Sequence, residues 1–382
     1  LLNDQPIEAR NTYDQLITQF KSNANASRWT IRSAVADYIS QNYPTVISKL
    51  QPLQTTEGLA ASELSEIEFW IGSSQFKLEQ FASAEKSLAS SFANNKQWKR
   101  TAETLLTLCR SQLAQKREKE ANVTAETFLK DHSSSPLTTE LHYRLGESDY
   151  EQEKYESALE HFQLINNTET PTKFTPFSLY NAAYCQLQID RHQAAEKTFT
   201  ELITQFPEND LATLARTGRA NARRELGNPQ AAISDLREFL ASEPPAARKE
   251  SALYDLGLAQ IDAQQWSNVT ETFQGLVNEF DTSKQMDRYL YELAWGLRSS
   301  DKETRAMENF RTLASKFPTS PLAPESNFHI GSDFYNQKKY GDAITAYQLC
   351  LQSKIENEIL EKAAYKLAWS HYKQDQFKEA GD

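Results

Sequence analysis

Between residues 253 and 276, apolar side chains fall at two helical spacings separated by a short polar break. Leu253, Leu256, Gly257 and Gln260 follow i, i+3, i+4, i+7, the stripe of one amphipathic helix. Val269, Phe273 and Leu276 follow i, i+4, i+7 on a second. The break "DAQQW" has counterparts in "EQEKY" and "NQKKY", and its last position is often aromatic: Tyr155, Trp266, Tyr340, Phe377. The pattern predicts a helical hairpin with a turn of about four residues.

The hairpin repeats. Gly72, Cys109, Gly146, Ala183, Ala220, Gly257, Ala294, Gly331 and Ala368 are spaced 37 residues apart without a slip. Twelve residues later runs Ala84, Ala121, Ala158, Ala195, Ala232, Val269, Ala306, Ala343 and Ala380. Four beyond these stand Leu88, Ala125, Phe162, Phe199, Leu236, Phe273, Phe310 and Tyr347, and three further on Ile165, Leu202, Phe239, Leu276, Leu313 and Cys350. Four series in phase over nine periods define a repeat array. Small residues are required in the first two series because paired helices approach most closely there.

Prolines punctuate the units. "LITQFPENDLA" from Leu202 and "LASKFPTSPLA" from Leu313 share Leu, Phe-Pro and the later Ala. Pro207, Pro244 and Pro318 all fall just past a second helix, where proline ends helical geometry in itself and its predecessor. Asn209, Asp210 and Ser320 are placed to cap the next helix, with Pro321 in its first turn.

Residues 9–20 read as a second helix without its first, and 375–382 stop as another second helix begins. The expected organisation is a single continuous solenoid. It comprises a partial repeat over 1–27, a divergent repeat over 28–64 that slips register by about one, eight regular units over 65–360 and a truncated unit over 361–382. Neither end carries the polar face of a capping repeat, so a fragment of a longer array is expected.

Composition narrows the function classes. A chain of 382 residues exceeds what one core usually serves. Its net charge of −11 disfavours a phosphate-binding surface and hence nucleic acid. No apolar run approaches the ~20 residues of a membrane span, so direct membrane insertion is not expected. The first ten residues do not form a signal peptide. Cys109, Cys185 and Cys350 lack ligand spacing; Cys109 and Cys350 are expected buried and Cys185 accessible. The six histidines, at 132, 142, 161, 192, 329 and 371, form no His-Glu-x-x-His or paired Cys/His pattern. No phosphate-cradling glycine loop or G-x-S-x-G turn occurs, so no catalytic residue, metal or cofactor is expected.

"LHYRLGESDYEQEKYESALEHF" (141–162) resembles the tetratricopeptide repeat through Leu145, Gly146, Tyr155, Ala158 and Phe162. "NFHIGSDFYNQKKYGDAITAYQLCL" (327–351) resembles it through Ile330, Gly331, Tyr340, Ala343 and Tyr347. The likeness covers roughly residues 28–380, with units of 37 rather than the usual 34. The extra residues lie at the F-P-x-S-x-x-A junction, which is similar to repeat proteins of the bacterial cell envelope, such as β-barrel assembly lipoproteins and the Tol–Pal coordinator. The resemblance implies an all-α, right-handed α-solenoid of about ten antiparallel helix pairs, first helices lining a concave face. It also implies a periplasmic or cell-envelope address, with the cytoplasm as alternative.

On that face the first helices carry aromatic rows: Tyr143, Tyr180, Tyr254, Tyr291, Phe328 and Tyr365; then Tyr184, Trp295 and Trp369; then Tyr150, Tyr335 and Tyr372. Neighbouring first helices about 10 Å apart would present one aromatic to about every third residue of an extended peptide. The same positions equally suit packing of one first helix on the next, and both readings stand at this level. Expected partners are a protein or peptide segment, within a larger multi-protein assembly. The rival reading is the regulatory arm of a larger enzyme such as a glycosyltransferase. An RNA-reading array is disfavoured by the charge.

Overall fold

The computed structural model describes residues 5–352 and 358–381. Positions 1–4 and 382, the outer ends of the first and last expected segments, lie outside the described residues, as do 353–357 within the last regular unit. Among the described residues there are twenty-one α-helices and no strand. The first are α1 (Pro6–Gln19), α2 (Ala26–Ile39) and α3 (Tyr43–Leu50), followed by a 3-10 turn at Gln51–Thr55. Then come α4 (Ala61–Lys77), α5 (Phe81–Asn94), α6 (Thr101–Ala114), α7 (Glu118–His132), α8 (Thr138–Glu151), α9 (Tyr155–Asn166) and α10 (Thr175–Gln188). They continue with α11 (His192–Gln205), α12 (Asp210–Glu225), α13 (Pro229–Leu240), α14 (Ala246–Asp262), α15 (Trp266–Glu279) and α16 (Met286–Arg298). The last five are α17 (Glu303–Lys316), α18 (Ala323–Asn336), α19 (Tyr340–Leu351), α20 (Glu358–Tyr372) and α21 (Phe377–Gly381). The helices group into two compact units, residues 1–181 and 182–382. From α5 on, every second helix starts 37 residues after the last, at positions 81, 118, 155, 192, 229, 266, 303, 340 and 377.

The hairpins close where small residues face bulky ones. A Cβ placed on Gly72 would lie 2.7 Å from Leu88 Cγ, on Gly146 2.7 Å from Phe162 Cε1, on Gly257 2.5 Å from Phe273 Cε2, and on Gly331 2.7 Å from Tyr347 Cε1. In each case the partner is sixteen residues ahead on the second helix and is fully buried. Burying such a side chain contributes about 2–3 kcal/mol, and the missing methyl is what lets it in. The α6–α7 hairpin reverses the sizes, with Cys109 opposite Ala125, both buried.

Each first helix ends in the same backbone device. Leu78 caps α4, Glu79 takes φ +59°, and Gln80 N–H reaches back to the Gln75 carbonyl at 2.9 Å. Glu79 N–H bonds the Phe76 carbonyl at 3.0 Å, completing a Schellman turn. Positive φ, between 54° and 71°, recurs at Lys116, Glu153, Asp190, Gly227, Gln264, Asp301, Lys338 and Asp375. Gln41 holds the same place in the divergent unit, 38 residues before Glu79, which locates the one-residue slip. Only Gly227 in this series is a glycine, so the other turns carry left-handed strain in exchange for satisfied carbonyls.

The junction prolines behave differently from expectation in one place. Asn209 caps α12, its side chain accepting from Leu211 N–H at 2.9 Å. Ser320 instead accepts from Leu322 N–H at 3.2 Å, one turn ahead of the helix. Helix α18 begins only at Ala323, so Pro324 rather than Pro321 occupies the first turn. The extra residues of the junction are spent on that preliminary turn.

A charged cluster holds part of the second unit. Asp235, 1 % exposed, receives Arg219 Nε at 2.9 Å and Arg223 Nη1 at 2.8 Å, with Arg216 at 3.9 Å. Glu196 takes Arg223 Nε at 2.9 Å. This is internal pairing of α11, α12 and α13, which accounts for most of the arginine concentration in α12.

Gly257→Ala should destabilise the chain by roughly 1–3 kcal/mol, because the Phe273 ring is packed in and cannot move aside. Gly275→Ala, where an added Cβ meets nothing within 4 Å, should stabilise by about 0.5–1 kcal/mol. Urea titration of both variants checks the pair; equal shifts would show that the close approach is not limiting. At the turns, Gly227→Ala should cost about 1 kcal/mol and Lys338→Gly should recover a similar amount, read as opposite shifts in thermal midpoint.

Candidate functional site

The aromatic rows sort into three environments. The row of Tyr150, Tyr335 and Tyr372 lies one turn before the Schellman residue. Each packs edge-on against the aromatic that opens its own second helix: Tyr150 on Tyr155 at 5.5 Å, Tyr335 on Tyr340 at 5.4 Å, Tyr372 on Phe377 at 5.5 Å between ring centroids. Phe76 and Phe81 make the same contact at 5.6 Å. These rings brace the turn, and that explains the aromatic that ends each polar break.

The row three residues before the small position faces the second helix nineteen residues on. Tyr143 meets Phe162, Tyr254 meets Phe273, Tyr291 meets Phe310 and Phe328 meets Tyr347, with centroids 5.9–6.1 Å apart. Tyr143 is buried, closed over by Phe174 at 5.1 Å. Tyr180, Tyr254, Tyr291 and Phe328 are half-buried. In the remaining row Tyr184 packs on Phe199 at 5.3 Å and Trp295 on His329 at 5.0 Å, both half-buried. Tyr365, Trp369 and Tyr372 are exposed at 61 %, 40 % and 50 %. With Ala368 and Ala380 they line an open cleft of about 200 Å³.

In the second unit these aromatics stand among carboxylates that the sequence reading passed over. Asp255 follows Tyr254 and Glu292 follows Tyr291, one unit apart, and Glu325 stands on α18. Burial pushes the Asp255 carboxyl up against the pull of Arg224. Burial, then the neighbouring Glu325, pushes Glu292 up to about 6. Glu325 is held down, chiefly by its neighbour His329. The His329 tautomer follows from geometry: Arg298 Nη1 lies 2.9 Å from His329 Nδ1 and can only donate. The proton therefore sits on Nε2, 3.7 Å from Glu325 Oε1. Burial likewise raises the Tyr254 and Tyr291 phenols. The signal available in sequence was the Asp255–Glu292 spacing, one period, on the position beside the aromatic row.

The first unit carries a mixed-charge pocket of about 250 Å³ lined by Phe76, Arg110, Leu113, Arg144, Glu147 and Glu151. Arg110 lies over the Phe76 ring at 4.7 Å and 3.2 Å from Glu140. Burial pulls its guanidinium below the ordinary arginine range. Arg144 Nη1 donates to Glu147 at 2.7 Å. Such a groove suits amide and guanidinium-stacking contacts better than a lone anion.

Cys109, Cys185 and Cys350 are all buried, so the expectation of an accessible Cys185 is corrected: helix packing encloses its thiol and leaves it no exposed surface. Among the described residues no three His, Cys, Asp or Glu side chains converge as metal ligands, and no helix is long and apolar enough to cross a membrane.

Residues 172–331 match the family model YfiO, outer membrane lipoprotein. The chain resembles tetratricopeptide-repeat proteins. No curated protein is significantly similar to it in sequence. Among solved structures it is similar to a tetratricopeptide-repeat protein from Parabacteroides merdae, at 16 % identity over 74 % of this chain and 99 % of that one, TM-score 0.46. The C-terminal part of such a protein from Cytophaga hutchinsonii gives 11 % identity over 78 % and 98 %, TM-score 0.49. PilW, a type IV pilus biogenesis factor, gives 15 % over 59 % and 97 %, TM-score 0.45.

The raised Glu292 value fixes a sign. A carboxyl whose folded value lies near 6 stabilises the fold relative to the unfolded chain at low pH, and that contribution is lost as pH rises through 6. Glu292→Gln should therefore gain about 1 kcal/mol at pH 8 and nothing at pH 4. Thermal melts at the two pH values check this, and an equal shift at both would remove the burial argument.

Proposed function

We propose that the chain is a non-catalytic scaffold that holds a segment of another protein against the first-helix face of its second unit. The observation that carries this reading is the run of half-buried aromatics from Tyr254 to Tyr335, continuing into the exposed Tyr365, Trp369 and Tyr372. Half-buried rings are already ordered by packing, so contact with a partner costs little further rotamer entropy, while each keeps an edge or hydroxyl for the partner. The Asp255, Glu292 and Glu325 carboxylates beside them favour a partner segment that is neutral or basic. The likeness of residues 172–331 to an outer membrane lipoprotein family supports a place in the cell envelope, within a multi-protein assembly.

Panning a synthetic peptide array with the intact chain tests the proposal. Trp369 and Tyr365 together changed to serine should weaken capture about tenfold or more at unchanged melting temperature, since both rings are exposed. Undiminished capture by that variant, and by a further Trp295→Leu variant, would remove the aromatic face from the binding site.

A further inference from the structure

One side-chain pair in the first unit is used neither by the stacking series nor by the aromatic rows. His142 on α8 and His161 on α9 bring their Nδ1 atoms to 3.2 Å, with ring centroids 5.4 Å apart. The two nitrogens thus face each other nearly along the line joining the rings. A neutral imidazole has one donor and one acceptor nitrogen, so one Nδ1 carries a proton and the other receives it. Adding a single proton to the pair leaves that bond intact, because the incoming proton goes to an Nε2. Adding two leaves both Nδ1 atoms protonated, and the contact becomes N–H against H–N between like charges.

The surroundings set which ring yields. His161 Nε2 lies 3.8 Å from Asp149 Oδ2, and Asp149 is held by Ser157 Oγ at 2.5 Å. Burial lowers His161 overall, while Asp149 and Glu160, which adjoins it on α9, pull the other way and favour its charged form. From α7, Glu126 and Asn122 line with His161 a cavity of about 320 Å³, and Lys154 reaches the same space from the turn. The carboxylates therefore lie on the His161 side. His142 is lowered to about 4, first by burial and then by His161.

We propose that His142 and His161 form a proton-counting latch on the α8–α9 hairpin, closed with one shared Nδ1 proton and forced apart when both rings are charged. The latch is independent of what the chain binds. Its mechanical output is nonetheless local to the aromatic row, because Tyr143 adjoins His142 and Tyr150 braces the turn that joins the two helices. The sign is that of a histidine with a depressed folded value: full stability above the ordinary histidine range, lost as pH falls through it towards about 4.

The test uses the intact chain. Two-dimensional NMR of the imidazole Cε1–H signals should show one ring titrating below pH 5, well separated from the other. Between pH 7 and 4.5 the folded-to-unfolded ratio of the wild type should fall at least about tenfold more than that of His142→Gln, which keeps a polar group but takes no proton. If both rings titrate together near the ordinary histidine value, or if the wild type and His142→Gln lose stability in parallel, the latch is refuted. A rise in melting temperature with zinc at pH 7.5, absent from His142→Gln, would also overturn it, because the pair would then be a metal chelate. Should His142→Gln fail to fold, the wild-type NMR titration decides alone.

Discussion

Everything in the two units depends on one close approach, the contact between a small residue on the first helix and a bulky one sixteen positions later. Interaxial distance is set by the side chains at the crossing. Removing the Cβ at Gly146, Gly257 or Gly331 lets an aromatic ring seat directly against the helix backbone. Once that distance is fixed, the turn must fit a narrow gap, and the same left-handed residue recurs at every first-helix terminus. The aromatic rows follow, since a ring nineteen residues upstream of the bulky partner meets it about 6 Å away, tilted or edge-on.

Much of this was legible because the repeat shows each rule between six and nine times. Series such as Gly72 to Ala368 and Leu88 to Tyr347 reveal the pairing without coordinates, since packing demands a volume at each position. The left-handed turns were not legible. Glycine is the usual marker of positive φ, yet Glu79, Lys116 and Asp301 adopt it, because two backbone hydrogen bonds outweigh a penalty of about 1–2 kcal/mol. Backbone bonds leave no trace in side-chain identity. The late start of α18 was hidden for a related reason, as "PTSPLAPES" offers Ser320, Pro321 and Pro324, each of which could open a helix.

The candidate site was readable as a set of positions but not as a set of environments. Tyr143 and Tyr365 occupy equivalent places, and one is buried while the other is 61 % exposed. The difference comes from neighbours: Phe174 closes over Tyr143, and no such ring closes over Tyr365 among the described residues. The carboxylates beside the rings escaped notice because Asp255, Glu292 and His329 vary in type along their row. Their common property is partial desolvation, which depends on the packing of the flanking helices and has no residue code.

Cys109, Cys185 and Cys350 lie on α6, α10 and α19, three different hairpins, each thiol sealed from water. Burial drives Cys109 up to about 12 and Cys350 up to about 11, so neither reacts as thiolate while its hairpin is shut. A reagent in solution can reach such sulfur only through a transient breach in the surrounding helices. The array therefore contains native reporters of where it breathes, spaced along its length, and their alkylation rates would rank the hairpins by how readily each one opens.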